Sequence, residues 1–94
     1  MLIIAGHLVV SASDRDAYVA ECVETIEAAR AAPGCLDFSI TTDAVDPTRI
    51  RIYERWEDEE RLLAFRGSGT SDGQQAAIVD ADVKRYTISD VGEP

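Results

Sequence analysis

Asp46-Pro-Thr-Arg-Ile-Arg-Ile-Tyr-Glu-Arg-Trp-Glu-Asp58 is the stretch that decides the fold of this chain. A proline turn opens it, a run rich in β-branched and aromatic residues fills it, and Asp58 closes it as a helix-start signal. Trp56 is the single tryptophan of 94 residues. By the two-residue period of a strand, Ile50, Ile52, Glu54 and Trp56 share one face, and Arg51, Tyr53 and Arg55 share the other. A lone Trp at the end of a half-polar strand either closes a core or walls a pocket. Just upstream, Ala31-Ala-Pro-Gly-Cys-Leu36 ends a helix and launches another strand.

Working outward from these two segments, Leu2–Val10 is an apolar run interrupted only by Gly6 and His7, as expected of a central strand covered on both faces. Ser13, Asp14 and Asp16 form a helix-start signal, with Ser13 as the cap. Tyr18, Val19, Cys22, Val23, Ile26 and Ala29 then recur at helical spacing, which predicts one helix ending with Arg30 before Pro33-Gly34. Leu36, Phe38 and Ile40 alternate with polar residues in a second strand, and Asp43–Thr48 is a polar turn into the third, Ile50–Trp56. Asp58 caps a short helix through Arg66 that carries Leu62, Leu63 and Phe65. Gly67-Ser-Gly-Thr-Ser-Asp-Gly73 lacks the lysine and strand context of a phosphate loop and reads as a lid or connector. A second helical piece is expected at about residues 74–81, then a fourth strand at Val83–Ile88 and a tail.

The order strand, helix, strand, strand, helix, strand predicts one domain over residues 1–94. It is an α+β, ferredoxin-like βαββαβ unit, with a four-stranded antiparallel sheet and both helices on one face. A domain of this size buries only about 60–65% of its unfolded surface. Some of Ile50, Ile52, Trp56, Phe38 and Tyr86 are expected on the face without helices, where a second copy packed sheet to sheet is the simplest cover.

Eighteen acidic residues against nine basic ones give a net charge of −9 and a pI near 4.3. Such a field repels phosphate, so neither nucleic acid nor an anionic membrane is an expected partner. Arg49, Arg51 and Arg55 are interrupted by Glu54 and followed by Glu57, Asp58, Glu59 and Glu60, which reads as a paired surface or pocket feature rather than a basic stripe. No apolar run approaches the ~18 residues that span a bilayer, and no basic leader precedes Leu2, so a cytoplasmic protein is expected. Cys22 and Cys35 lack metal-ligand spacing and read as small buried hydrophobes. With one His and no EF-hand spacing, no metal site is expected.

With this topology in place, the chain resembles the antibiotic-biosynthesis monooxygenase family, which includes small quinol monooxygenases and forms dimeric α+β barrels. The resemblance covers nearly the whole chain. It is carried by Pro33-Gly34-Cys35-Leu36, by Asp46-Pro47 leading to Tyr53-Glu54-Arg55-Trp56, and by Asp58 with Glu59. It implies a homodimer that oxygenates a small phenolic, quinol or polycyclic aromatic compound with O2, using neither metal, flavin nor haem. Other members degrade haem or act on signalling metabolites. The chain departs from the family in three places. Phe65 stands where members often carry a His, Ser68-Gly69-Thr70-Ser71 replaces a segment that often carries a second His, and Gly6 takes the place of the Asn of the haem-degrading branch.

The candidate site follows from both readings. Trp56 is a pocket wall for an aromatic substrate or an indole that fills the core, with Ile52 expected beside it. Phe65 and Tyr86 are further aromatic lining or plain core. The acid-base group is open between Glu54, His7 and a tyrosine. A carboxyl on the Trp56 face gains basicity if buried, and an imidazole of pKa about 6.5 can take a phenol proton at neutral pH. His7 falls out of phase with Gly6 and so points to the opposite face. A dimeric binding or stress-associated protein that has lost the chemistry, and an oxygen-independent isomerase or cyclase, are the alternative functions.

Overall fold

The computed structural model describes residues 1–67 and 77–94. The apolar run after Met1 forms β1 (Leu2–Val9), and the two decisive segments form β2 (Cys35–Thr42) and β3 (Arg49–Trp56). The last strand is β4 (Asp80–Thr87), and the helices are α1 (Arg15–Glu21), α2 (Val23–Ala31) and α3 (Glu59–Arg66). The strands make one antiparallel sheet of order β2-β3-β1-β4, so the most apolar strand sits inside it. This is the ferredoxin-like α+β arrangement.

Register assigns the faces. Leu2, Ile4, Gly6 and Leu8 lie opposite Trp56, Glu54, Ile52 and Ile50, and Phe38 and Ile40 continue the Glu54 and Ile52 rows onto β2. This is the helix-covered face. Its buried core is Leu2, Ile4, Phe38 and Trp56 from the sheet, Ala29 from α2 and Leu62 from α3. Ile50, Ile52, Phe38 and Trp56 therefore do not contribute to the face without helices, where only some of the five candidates were expected. Of the five residues named for it, that face carries Tyr86, beside Ile3. The apolar residues of β3 follow one parity, and that parity meets the helices.

Local chemistry explains the element ends. The Asp58 carboxylate accepts from the Arg61 N–H at 2.9 Å and caps α3 as expected. Ser13 does not cap. Its hydroxyl pairs with that of Ser11, and Asp14 occupies the cap position without a side-chain bond. The single first helix is divided at Cys22, whose N–H bonds three residues back to the Val19 carbonyl at 3.1 Å. The apolar stripe runs unbroken through this point, and no glycine or proline marks it. Asp80 and Ala81, read as helix, open β4 opposite Val9 and Leu8. The rest of that helical piece up to residue 76, and the glycine-rich segment after Gly67, lie outside the described residues.

Two glycines hold the layers close. Gly34 has φ 82°, and a Cβ there would strike the Arg61 side chain of α3. Its carbonyl accepts from the Glu57 N–H at 2.8 Å, which ties the exit of α2 to the entrance of α3. Gly6 has φ 152°, and a Cβ there would overlap the Asp82 carbonyl of β4. The Asp43–Thr48 turn is built from two carboxylates: Asp43 accepts from the Val45 and Asp46 N–H groups, and Asp46 from the N–H and hydroxyl of Thr48. These bonds hold both carboxyls below their usual range. Arg15 clamps the turn from α1, donating to the Asp43 and Asp46 carbonyls at 3.2 and 2.9 Å. Among the described residues no helix is long and apolar enough to cross a membrane.

The orientation of α3 is directly testable. Leu62 is fully buried, whereas Leu63 is 54% exposed. Leu62→Ala should cost about 2–5 kcal/mol in urea denaturation, through lost burial and a residual cavity. Leu63→Ala should stay within about 1 kcal/mol. Equal losses for the two would contradict this packing.

Candidate functional site

The site is built where β3 ends against α3. Trp56 is fully buried, with Leu2 of β1 on one side and Cys35 of β2 on the other. Phe65 lies over the indole, ring centroids 5.4 Å apart and planes tilted by 33°. Phe38 meets the edge of Phe65 at 5.9 Å and 69°. Offset and edge contacts of this kind add to the burial energy of the rings. Phe65 is therefore part of the Trp56 cluster, and Phe38, read in the sequence as an alternating strand residue and a candidate for the face without helices, belongs to it too.

Glu54 supplies the polarity. Its Oε1 accepts from Trp56 Nε1–H at 3.0 Å, satisfying the one donor of the buried indole. Across the sheet the carboxyl is flanked by Ile4 and Phe38. Burial in these apolar surroundings pushes its pKa up, against the opposing pull of the indole N–H and of the Arg66 guanidinium. Desolvation wins, so the carboxyl is more basic than an ordinary glutamate.

The structure separates the other candidates. Ile52 shares the face of Trp56 but stands beside Gly6 and Ile40, with Glu54 between it and the indole. Four residues along a strand are about 13 Å, so it is not an immediate neighbour of Trp56. His7 is on the opposite face, in a row with Arg51 and Asp82. Tyr86 is on that face as well, 52% exposed. Neither reaches the Trp56–Glu54 pair. Among the described residues no three His, Cys, Asp or Glu side chains converge.

Cys35 is the residue whose position sequence reading missed. It was read as a plain buried hydrophobe, but it stands opposite Trp56 and also lines a surface depression of about 160 Å³ with Arg30, Leu36 and Asp37. Burial first, then the nearby Glu54 and Asp37 charges, keep its thiol pKa raised, against a bond from the thiol to the Asp37 carbonyl and the Arg30 charge. Arg30 is held by its Nε–H bond to the Phe38 carbonyl at 2.9 Å. The register shift between Cys35 and Asp37 brings the thiol to this place, and nothing in the local sequence announces a bulge.

The arrangement is thus a half-buried carboxyl bonded to a buried indole beneath aromatic rings, a proton acceptor in apolar surroundings. The family model described as antibiotic biosynthesis monooxygenase matches residues 1–79, and the chain belongs to that family. Solved structures agree on the fold. A Deinococcus radiodurans protein provisionally named an antibiotic biosynthesis monooxygenase has a TM-score of 0.80 at 20% identity, over 100% of this chain and 98% of that one. A Nitrosomonas europaea protein with the same provisional name gives 0.78 at 21% identity, over 95% and 99%. A Mycobacterium tuberculosis protein gives 0.79 at 18% identity, over 98% of each chain. No functionally curated protein matches the chain.

Glu54 makes stability depend on pH in a defined direction. Its folded pKa lies above the unfolded value, so the stability tied to its neutral form is complete below the unfolded pKa and is lost as pH rises through the folded one. Glu54→Gln keeps an oxygen for the indole N–H and removes the charge. The variant should gain on the wild type in urea midpoint as pH rises from 4 to 8, on the order of the range over which a raised carboxyl titrates. A difference that shrinks over this range would mean that the surroundings favour the carboxylate.

Proposed function

We propose that this protein is a cofactor-independent monooxygenase acting on a small phenolic, quinol or polycyclic aromatic compound. The observation that carries this reading is the Glu54–Trp56 pair inside the Trp56, Phe65 and Phe38 ring cluster. Family membership supports the reaction class. The ionised substrate gives one electron to O2, and the resulting radical pair joins at a ring carbon as a peroxide. At a ring CH2, cleavage of the O–O bond with loss of water then leaves a new carbonyl, so that substrate and O2 become product and H2O. The protein contributes a dry aromatic wall, a proton acceptor and control of where the pair recombines. Ile52 lies farther along the same face and lines the site for a larger, polycyclic ring system.

The second reading, a binding protein without oxygen chemistry, draws on the missing family histidines at Phe65 and at 68–71 and on the placement of His7 across the sheet. Oxygen uptake decides between the two. Metal-stripped protein should consume O2 with hydroquinones, naphthols or anthrones well above the autoxidation blank, and Trp56→Phe should lower the rate by about 10-fold, a cost near 1.4 kcal/mol of transition-state stabilisation. A flat response from folded protein whose Trp fluorescence still shifts with these compounds would favour the binding protein.

A homodimer is part of the same reading. The face without helices carries Ile3, Ala5 and Val9 in the middle of the sheet, with Tyr53 and Tyr86 to the sides. The Nε atoms of Arg49 and Arg55 are buried on it without a hydrogen-bond partner among the described residues. A second copy supplies both apolar cover and acceptors for these donors. Tyr86→Asp should convert the sedimenting species from dimer to monomer. An unchanged dimer would move the interface elsewhere.

A further inference from the structure

We propose that Glu54 is the general base of this site: its free carboxylate oxygen takes the hydroxyl proton of a phenolic substrate while Trp56 Nε1–H holds the other oxygen. This deepens the monooxygenase reading and rests on it for the identity of the substrate class.

The assignment comes from the faces of the sheet. On the helix-covered face β1 offers Leu2, Ile4, Gly6 and Leu8, none of which titrates. On β2 the same face has Cys35, Phe38, Ile40 and Thr42, and on β3 it has Ile50, Ile52, Glu54 and Trp56. On β4 it has Ala81, Val83, Arg85 and Thr87, in the rows of Leu8, Gly6, Ile4 and Leu2. Arginine stays charged and cannot serve as a base at neutral pH. The Cys35 thiol is kept protonated by burial and by the carboxylates around it. Glu54 is left as the acceptor among the described sheet residues of this face, and His7 is removed from the choice by its side of the sheet.

The geometry suits the task. Trp56 Nε1–H at 3.0 Å fixes one oxygen, and among the described residues the second takes no hydrogen bond. Among the described residues the charged or titratable groups around Glu54 are Arg66 from α3 and Cys35 from β2. Arg85 lies one strand beyond Ile4 and is engaged by Glu59 at 2.8 Å. When the phenolic O–H breaks, the proton goes to Glu54 and its electron pair stays on oxygen as a phenolate. The neutral carboxyl suits its apolar flanks, and the new anion lies within the field of Arg66. The Glu54 proton passes to the outer peroxide oxygen; as the ring C–H and O–O bonds break, the C–H electron pair forms the carbonyl and the departing hydroxide takes the C–H proton as water, so the base is regenerated without a further reactant.

The test uses 4-nitrophenol, whose phenolate absorbs apart from the phenol, together with oxygen uptake, on the full chain and on Glu54→Gln and Glu54→Asp. At a pH where the free probe is protonated, the wild type should produce the phenolate band on binding. Glu54→Gln should bind the probe without that band, and Glu54→Asp should restore part of it. Uptake should fall about 100-fold or more in Glu54→Gln, the lower end of what general base catalysis supplies, with loss of the acid limb of the pH–rate profile. A purely structural Glu54 would leave the band and the acid limb in place, and either result overturns the proposal. So does a wild type that consumes O2 but never ionises the probe. A wild type that ionises the probe through Glu54 without consuming O2 upholds the base and overturns the oxygenase reading instead.

Discussion

The burial of Trp56 is the constraint on which the rest of this fold depends. The indole closes the end of β3, pairs in register with the first residue of β1 and the first of β2, and lies beneath Phe65 of α3. One side chain thus joins three strands to a helix at full burial. Its polar atom must also be satisfied. An unpaired indole N–H at that depth costs on the order of 1–3 kcal/mol, and the Glu54 carboxylate removes that cost at the expense of its own hydration. The site and the core are one construction here, because the group that could do chemistry is also the group that makes the Trp tolerable.

Much of this was legible in the sequence. The alternation from Ile50 to Trp56 assigns Glu54 to the indole face without any structure, and Asp58 announces α3. The placement of His7 follows from its phase relative to Gly6. What the sequence does not carry is which face the helices cover. The apolar parity of β3 is plain, but which of the five candidates stay off the face without helices is settled only by the positions of Ala29 and Leu62. The division of the first helix at Cys22 and the bulge before Asp37 are likewise silent, since each arises from packing rather than from a residue with its own backbone preference. The reach of a strand, about 3.3 Å per residue, would have warned that Ile52 and Trp56 share a face without being neighbours.

The two faces of the sheet divide the molecule's polar chemistry. Among the strands, the helix-covered side keeps one carboxyl, with Arg85 at its β4 edge, while the other side gathers His7, Arg49, Arg51, Arg55, Lys84 and Asp82. Two of those arginines have buried donors without acceptors among the described residues. A surface that is both apolar along its middle strand and under-satisfied at its donors is poorly suited to permanent contact with water.

Gly6 carries a consequence for how this lineage can change. Because its backbone lies at φ 152° and the β4 carbonyl fills the space a side chain would need, no single substitution at this position is structurally neutral. Any side chain here is thus separated from this chain by an ordered pair of steps: β4 must first move away from Asp82, and only then can residue 6 gain one. A route open in one order and closed in the other acts as a ratchet on this position.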